Sequence, residues 1–258
     1  MKTQVMQITP ELAQQFLAKN TSNRKIMNTV VAGYVREMKA GYWHETHQGI
    51  AFYEDGTLAD GQHRLTAITK AGISVNMVVT FDLKKPAALG IDCGAKKGQA
   101  DVLVISGEDW ATKDTVAILS LILFGGRKKS PTEIKNCASH DLLDAVRFAC
   151  EAVAGHARGI GNASVRGAIA LAVLNGVDKS VVQGFCSVLK SGINRESGDV
   201  SVILLRNTLL TSKTQKSGSD REKAMRTTQN ALKAYMSGVD LKLLKTPESL
   251  IWSVKGAA

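Results

Sequence analysis

The sequence predicts an α+β fold, on three observations. Short helices and short strands interleave over roughly the first 105 residues, and helical stretches alone follow. Between an extended segment and a helix sits one glycine-bearing junction, Asp60-Gly61-Gln62-His63-Arg64. The change of texture after Val102 divides the chain into a first domain over 1–105 and a mostly α-helical second domain over 106–258.

Thr9-Pro10-Glu11 opens the first helix, with threonine as cap and proline in the first turn, and the helix runs to about Ala18. A polar loop, Asn20 to Arg24, precedes a second helix from about Thr29 to Ala40. Val31, Tyr34, Val35 and Met38 share one face of it, and Gly41 stops it. Gly49–Tyr53 is a short strand, Asp55-Gly56 a turn, and Thr57-Leu58-Ala59 the returning strand. The helix Gln62 to Ala71 follows and ends at Gly72. The β-branched run from Val75 to Phe81 is the strongest strand signal in the chain.

Beyond Val102, helices are predicted over about 112–124, 139–154, 164–174, 178–189, 199–211 and 219–236, with no strand and no repeat of fixed period. Residues 212–219 read as a flexible loop. On the last helix Met225, Leu232, Tyr235 and Met236 lie on one face, with Arg226, Gln229, Asn230 and Lys233 on another.

At 258 residues, with 44% hydrophobic and 22% charged side chains, the chain has the make-up of a globular protein. No apolar run reaches the ~20 residues of a membrane span. The longest, Thr115 to Phe124, reads as a buried helix, and the start of the chain has no signal-peptide core. Cys93, Cys137, Cys150 and Cys186 form no CxxC pair, which argues against a zinc site or a disulfide framework. A cytoplasmic protein is expected. The net charge of +10 favours an anionic partner such as nucleic acid. Between Arg206 and Lys245 nine Lys/Arg face three Asp/Glu, so this segment, including Lys213, Lys216, Arg221, Arg226 and Lys233, is the candidate DNA contact.

The chemistry concentrates at Asp60-Gly61-Gln62-His63-Arg64. Glycine lets backbone approach a ligand, the first turn of a helix presents N–H groups to an anion, and Arg64 adds a forked cation suited to phosphate oxygens. Asp60 reads either as the helix cap or as a carboxylate that holds Mg²⁺ or accepts a proton. His63 reads as a phosphate contact, an acid–base group or an inward-facing structural histidine. Asp60 and His63 are therefore the candidate catalytic pair. A glycine-flanked loop at 94–98 carries Lys96 and Lys97 as candidate phosphate contacts. His44, Glu45 and His47 lack a second matching pair and read as an exposed loop rather than a metal site.

The DGQHRL stretch after a strand, with Ile8-Thr9-Pro10-Glu11-Leu12, Met38 to Trp43 and Asp92 to Leu103 in the same order, resembles the ParB/sulfiredoxin superfamily. Within it the chain looks most like DGQHR-type ParB-like proteins of phages and prophages. The resemblance covers roughly the first 105 residues and implies a ParB/sulfiredoxin-like nucleotide-binding domain. In that family the Gly-x-x-Arg signature contacts nucleotide phosphates, which here means Gly61 and Arg64 with Gln62 and His63 between them. The implied cofactors are a nucleoside triphosphate (ATP or CTP) and Mg²⁺.

Sulfiredoxin chemistry needs a cysteine inside the motif, where this chain has Gln62 and His63, so that activity is excluded. The resemblance implies a nucleotide-binding, slowly hydrolysing, DNA-associated protein. Two alternatives stand beside it. One is a ParB-fold enzyme, a kinase or nuclease, working through the same pocket. The other is a phage inhibitor that binds a host protein and carries an inactive pocket. A homodimer is compatible with each.

Overall fold

Lys2–Ile8 form a strand, β1, that hydropathy alone does not announce. Five of its seven residues are exposed, and it is held instead by an unbroken antiparallel ladder to β4 (Val75–Leu83), from Lys2 opposite Phe81 to Ile8 opposite Val75. The computed structural model describes residues 1–21, 23–90, 97–155, 159–211 and 217–254. The chain divides into two compact units, Met1–Lys96 and Lys97–Ala258. The segment just after Gly98 therefore belongs with the helices, nine residues or so before the change of texture placed at 105.

In the first unit β1 leads into α1 (Pro10–Leu17), where the Thr9 hydroxyl accepts the Leu12 N–H and Pro10 fills the first turn. Next come α2 (Asn28–Lys39), β2 (Ile50–Tyr53), β3 (Leu58–Asp60), α3 (Gln62–Ala71) and β4. The sheet order is β1-β4-β2-β3, with β4 antiparallel to β1 and parallel to β2, and β2 antiparallel to β3. The β2–β3 turn is closed by Asp55, which accepts from the Thr57 N–H and hydroxyl and pairs with Lys85 at 2.7 Å.

The core of this unit joins Ile8, Phe16, Val31, Met38, Ile50, Phe52, Leu58, Leu65, Ile68, Met77 and Val79. Phe52 is its hub: Phe16 meets it edge-on at 4.8 Å and Phe81 stacks on it at 5.5 Å. Burying one such ring contributes about 2–3 kcal/mol. The alternating burial of β4 at Met77 and Val79 puts one sheet face on this core. Helix α3 packs against both α1 and α2, which places its amino terminus beside the loop joining them.

The second unit is helical: α4 (Gln99–Ile105), α5 (Lys113–Phe124), α6 (Pro131–Cys137), α7 (His140–Ala152), α8 (Ala163–Leu174), α9 (Lys179–Ser191), α10 (Asp199–Thr211) and α11 (Gly218–Met236). Six of these match the predicted helices to within about two residues; α4 and α6, seven residues each, do not appear in the prediction. The polar residues that separate the helices are their caps. Thr112, Ser130, Ser139, Asn162, Asp178 and Ser217 each accept an N–H from the first turn that follows.

Helix α8 is central, with Val165, Ala168, Ile169, Ala170, Leu171 and Ala172 buried and α5, α7 and α11 packed around it. Gly167 lets α11 come close, since a Cβ there would stand 3.1 Å from the Met225 sulfur. The apolar run Thr115–Phe124 lies in α5 and buries Val116, Ile118, Leu119, Leu121 and Ile122. Among the described residues no helix is long and apolar enough to cross a membrane. Cys137, Cys150 and Cys186 are free thiols, and burial pushes Cys186 up to about 12. Cys93 lies outside the described residues.

Candidate functional site

Strand β3 ends at Asp60 and α3 begins at Gln62, so Gly61 alone makes the turn between them, at φ +105°. A side chain is excluded there twice over. The backbone is left-handed, and a Cβ would sit 3.1 Å from Ile50 Cγ1 and 3.2 Å from Ile50 Cα. The sequence reading gave this glycine to a ligand; the fold needs it as well.

Asp60 does not cap α3. The cap position is Gly61, and no side chain accepts from the first turn. The Asp60 carboxylate instead receives the Gly61 N–H on Oδ1 at 2.6 Å and lies 3.5 Å from Arg64 Nη1 through Oδ2. The first-turn N–H groups of α3 thus lack the side-chain acceptor that six helices of the second unit have.

Arg64 is well covered, its side chain 14% exposed. Nη1 donates to the Gly49 carbonyl at 3.0 Å and Nη2 to Gln48 Oε1 at 3.3 Å. That contact pins the approach to β2. Gly49 itself passes so close to β4 that a Cβ would collide with the Val78 carbonyl oxygen.

Gln62 and His63 face the loop between α1 and α2. Gln62 is 4% exposed; its Nε2 donates to the Arg24 carbonyl at 2.7 Å and its Oε1 accepts from Asn20 Nδ2 at 3.1 Å. Asn23 Nδ2 donates to the Leu58 carbonyl at 2.8 Å, and Leu58 N–H to the Lys19 carbonyl at 2.9 Å. His63 Nε2 accepts the Met27 N–H at 3.0 Å. Of the roles open to His63, its Nε2 takes the structural one. The motif therefore stitches its own neighbouring loop onto the β3–α3 junction.

The electrostatics of this corner are positive. His63 is held below the ordinary imidazole value first by burial, then by the charge of Arg24, with Arg64 adding to it and Asp60 opposing. Arg24 is the residue sequence reasoning missed. Its only signal was a cation in a polar loop, and nothing local shows that Gln62 draws this loop over α3.

Metal fits poorly here. Among the described residues no group of three or more His, Cys, Asp or Glu could hold an ion, and Asp60 is a single carboxylate already engaged by Gly61 and Arg64. Magnesium would have to arrive on the ligand's own phosphates, and no step is assigned to it.

The remaining predicted residues are dispersed. Lys97 is exposed in the second unit, while Lys96, Lys213 and Lys216 lie outside the described residues. Arg221 and Lys233 are exposed on α11. Arg226 donates from Nη1 to the Pro247 carbonyl at 2.9 Å and also to that of Glu248, and Asn230 donates to Lys245. Gln229, fully buried, binds the backbone of Ile251 and Trp252. Of the α11 face that carries Arg226, Gln229, Asn230 and Lys233, the first three are thus engaged by residues 245–252, while Lys233 stays exposed.

Compared with family models, with curated proteins and with solved structures, the chain gives no match.

Proposed function

We propose that the protein is a nucleotide-binding, DNA-associated protein of ParB-like type, in which the α3 amino terminus receives the phosphates of a nucleoside triphosphate. The observation that carries this reading is the convergence of three positive features at one corner. These are the first turn of α3 without a side-chain cap, the Arg64 guanidinium in that same turn, and Arg24, close enough to depress His63. The DGQHR resemblance and the α+β arrangement of the first unit agree with it. The basic excess of the 206–245 segment supports DNA as partner.

Binding is favoured over catalysis. Gln62 and His63 hydrogen-bond to the protein's own loop, and Asp60 to Gly61 and Arg64, so the residues that a kinase or nuclease would deploy are already engaged. Hydrolysis, where it occurs, is a slow switch.

The test is a titration of ATP, CTP, GTP and UTP with Mg²⁺, with and without duplex DNA, on wild type, Arg24→Ala and Arg64→Ala. One nucleotide should bind, and each variant should weaken it about tenfold or more, as expected for a charge-assisted phosphate contact. Because Arg64 also holds Gly49 and Gln48, the Arg24 variant reads the electrostatic contribution separately. A wild type that binds none of the four would overturn the reading.

A further inference from the structure

A groove of about 440 Å³ in the second unit runs along α5, from Lys113 to Leu121, between the start of α4, the turn that follows α5 and the start of α11. Its floor is apolar, formed by Val116, Ala117 and Leu121. Its rim carries Lys113, Arg127, Lys128 and Arg221. The lining also holds one carboxylate, the exposed Asp101, which is engaged at the start of α4 where it accepts the Gly98 N–H at 2.7 Å. Among the described residues no carboxylate pairs with Lys113, Arg127 or Arg221, whereas neighbouring Lys129 is paired with Glu133 at 2.8 Å.

The groove is built by the fold rather than by loose side chains. Gly125 and Gly126 are both left-handed, at φ +60° and +74°, and turn the chain at the end of α5 so that Arg127 and Lys128 stand at the rim. The start of α11 packs against this turn: a Cβ on Gly218 would lie 3.0 Å from the Gly125 carbonyl oxygen, and one on Gly126 3.2 Å from Gly218 Cα. Arg221, one turn into α11, is thereby carried to the same rim.

We propose that this groove is where the protein holds a nucleic-acid strand, with the four cations on phosphodiester oxygens and the apolar floor under a sugar or a base. Cations around an apolar strip are the chemistry that a nucleotide unit in a strand presents in reverse, anionic at the backbone and apolar on the base face. This deepens the DNA-associated reading and rests on it. It also moves the principal contact: three of the four cations lie outside the basic 206–245 segment, and Arg221 is the only one they share with it.

The experiment measures binding of a fluorescent 20-nucleotide single strand and its duplex across a salt series. It compares wild type, the triple variant Lys113→Gln/Arg127→Gln/Lys128→Gln, and a charge-matched control, Lys2→Gln/Lys70→Gln/Lys179→Gln. All six positions are exposed, and far-ultraviolet circular dichroism checks that each protein is folded. The groove variant should bind at least tenfold more weakly, with a slope of log K against log salt shallower by about 2–3, while the control stays near wild type. A wild type that binds DNA and a groove variant that matches the control would overturn the groove assignment alone. Loss of equal size in both variants would do the same, showing bulk charge at work. A wild type that binds neither strand nor duplex would overturn the DNA-associated reading and this inference with it. A groove variant that loses free nucleotide but not DNA would make the groove a mononucleotide site and overturn the strand assignment.

Discussion

His63 Nε2 accepts the Met27 backbone N–H at 3.0 Å, across 36 residues of sequence. The imidazole must be neutral to do so, with its proton on Nδ1. Burial and the two nearby arginines hold its pKa below the ordinary value. A histidine whose folded pKa is depressed gives stability that is complete above the unfolded value of about 6.5 and is lost as pH falls toward the folded one. The loop 20–27 should therefore loosen on acidification from pH 7 toward 5. Hydrogen exchange of the Met27 amide, corrected for its intrinsic pH dependence, should show protection falling over that window. His63→Gln should remove the pH dependence.

Gln62 is a latch before it is anything else. Gln62→Leu keeps the volume but leaves the Arg24 carbonyl and the Asn20 amide without partners, at a cost of about 1–3 kcal/mol. The urea midpoint of the first unit should fall with or without nucleotide. An unchanged midpoint combined with lost nucleotide binding would instead make Gln62 a ligand contact.

Gly61→Ala forces a side chain into a left-handed turn and against Ile50, and should destabilise the first unit by about 1–3 kcal/mol. Gly72→Ala, also left-handed but with open space where the Cβ would go, serves as the comparison and should cost less. Equal losses in the two would show that backbone conformation alone matters and that the Ile50 contact does not.

Gln229 holds the end of the chain through three backbone hydrogen bonds, two accepted and one donated. Gln229→Ala should free residues 245–252 from α11 at a cost of about 2–3 kcal/mol, seen as new tryptic cleavage at Lys242 and Lys245. A cleavage pattern identical to wild type would mean that Arg226 and Asn230 suffice to hold the tail.

Most of the helices were legible because their signals are local. Thr9-Pro10 announces α1, and Ser139, Asn162 and Asp178 stand at the starts where caps belong. Strand β4 was legible from its β-branched run. Strand β1 was not, because its residues are mostly exposed and its stability comes from a ladder to residues some seventy positions away. Helices α4 and α6 were missed for a related reason, being too short to show a full amphipathic period. The motif at 60–64 was visible as a unit, but its internal use was not. That Gln62 and His63 turn toward residues 20–27, and that Arg226, Gln229 and Asn230 turn toward the tail, depends on contacts between segments far apart in sequence.

The β1–β4 ladder also sets an order of events. Residue 8 can meet residue 75 only after everything between them has been made and brought round, and closing so long a loop is entropically expensive before any contact rewards it. The second unit mixes both kinds of contact: α7 packs on α8 and α10 on both α9 and α11, its neighbours in sequence, while α11 also reaches back to α8 and α5. Until β4 has been made, β1 is therefore an extended segment without its partner strand, and its open edge is exposed to pairing with other chains during synthesis.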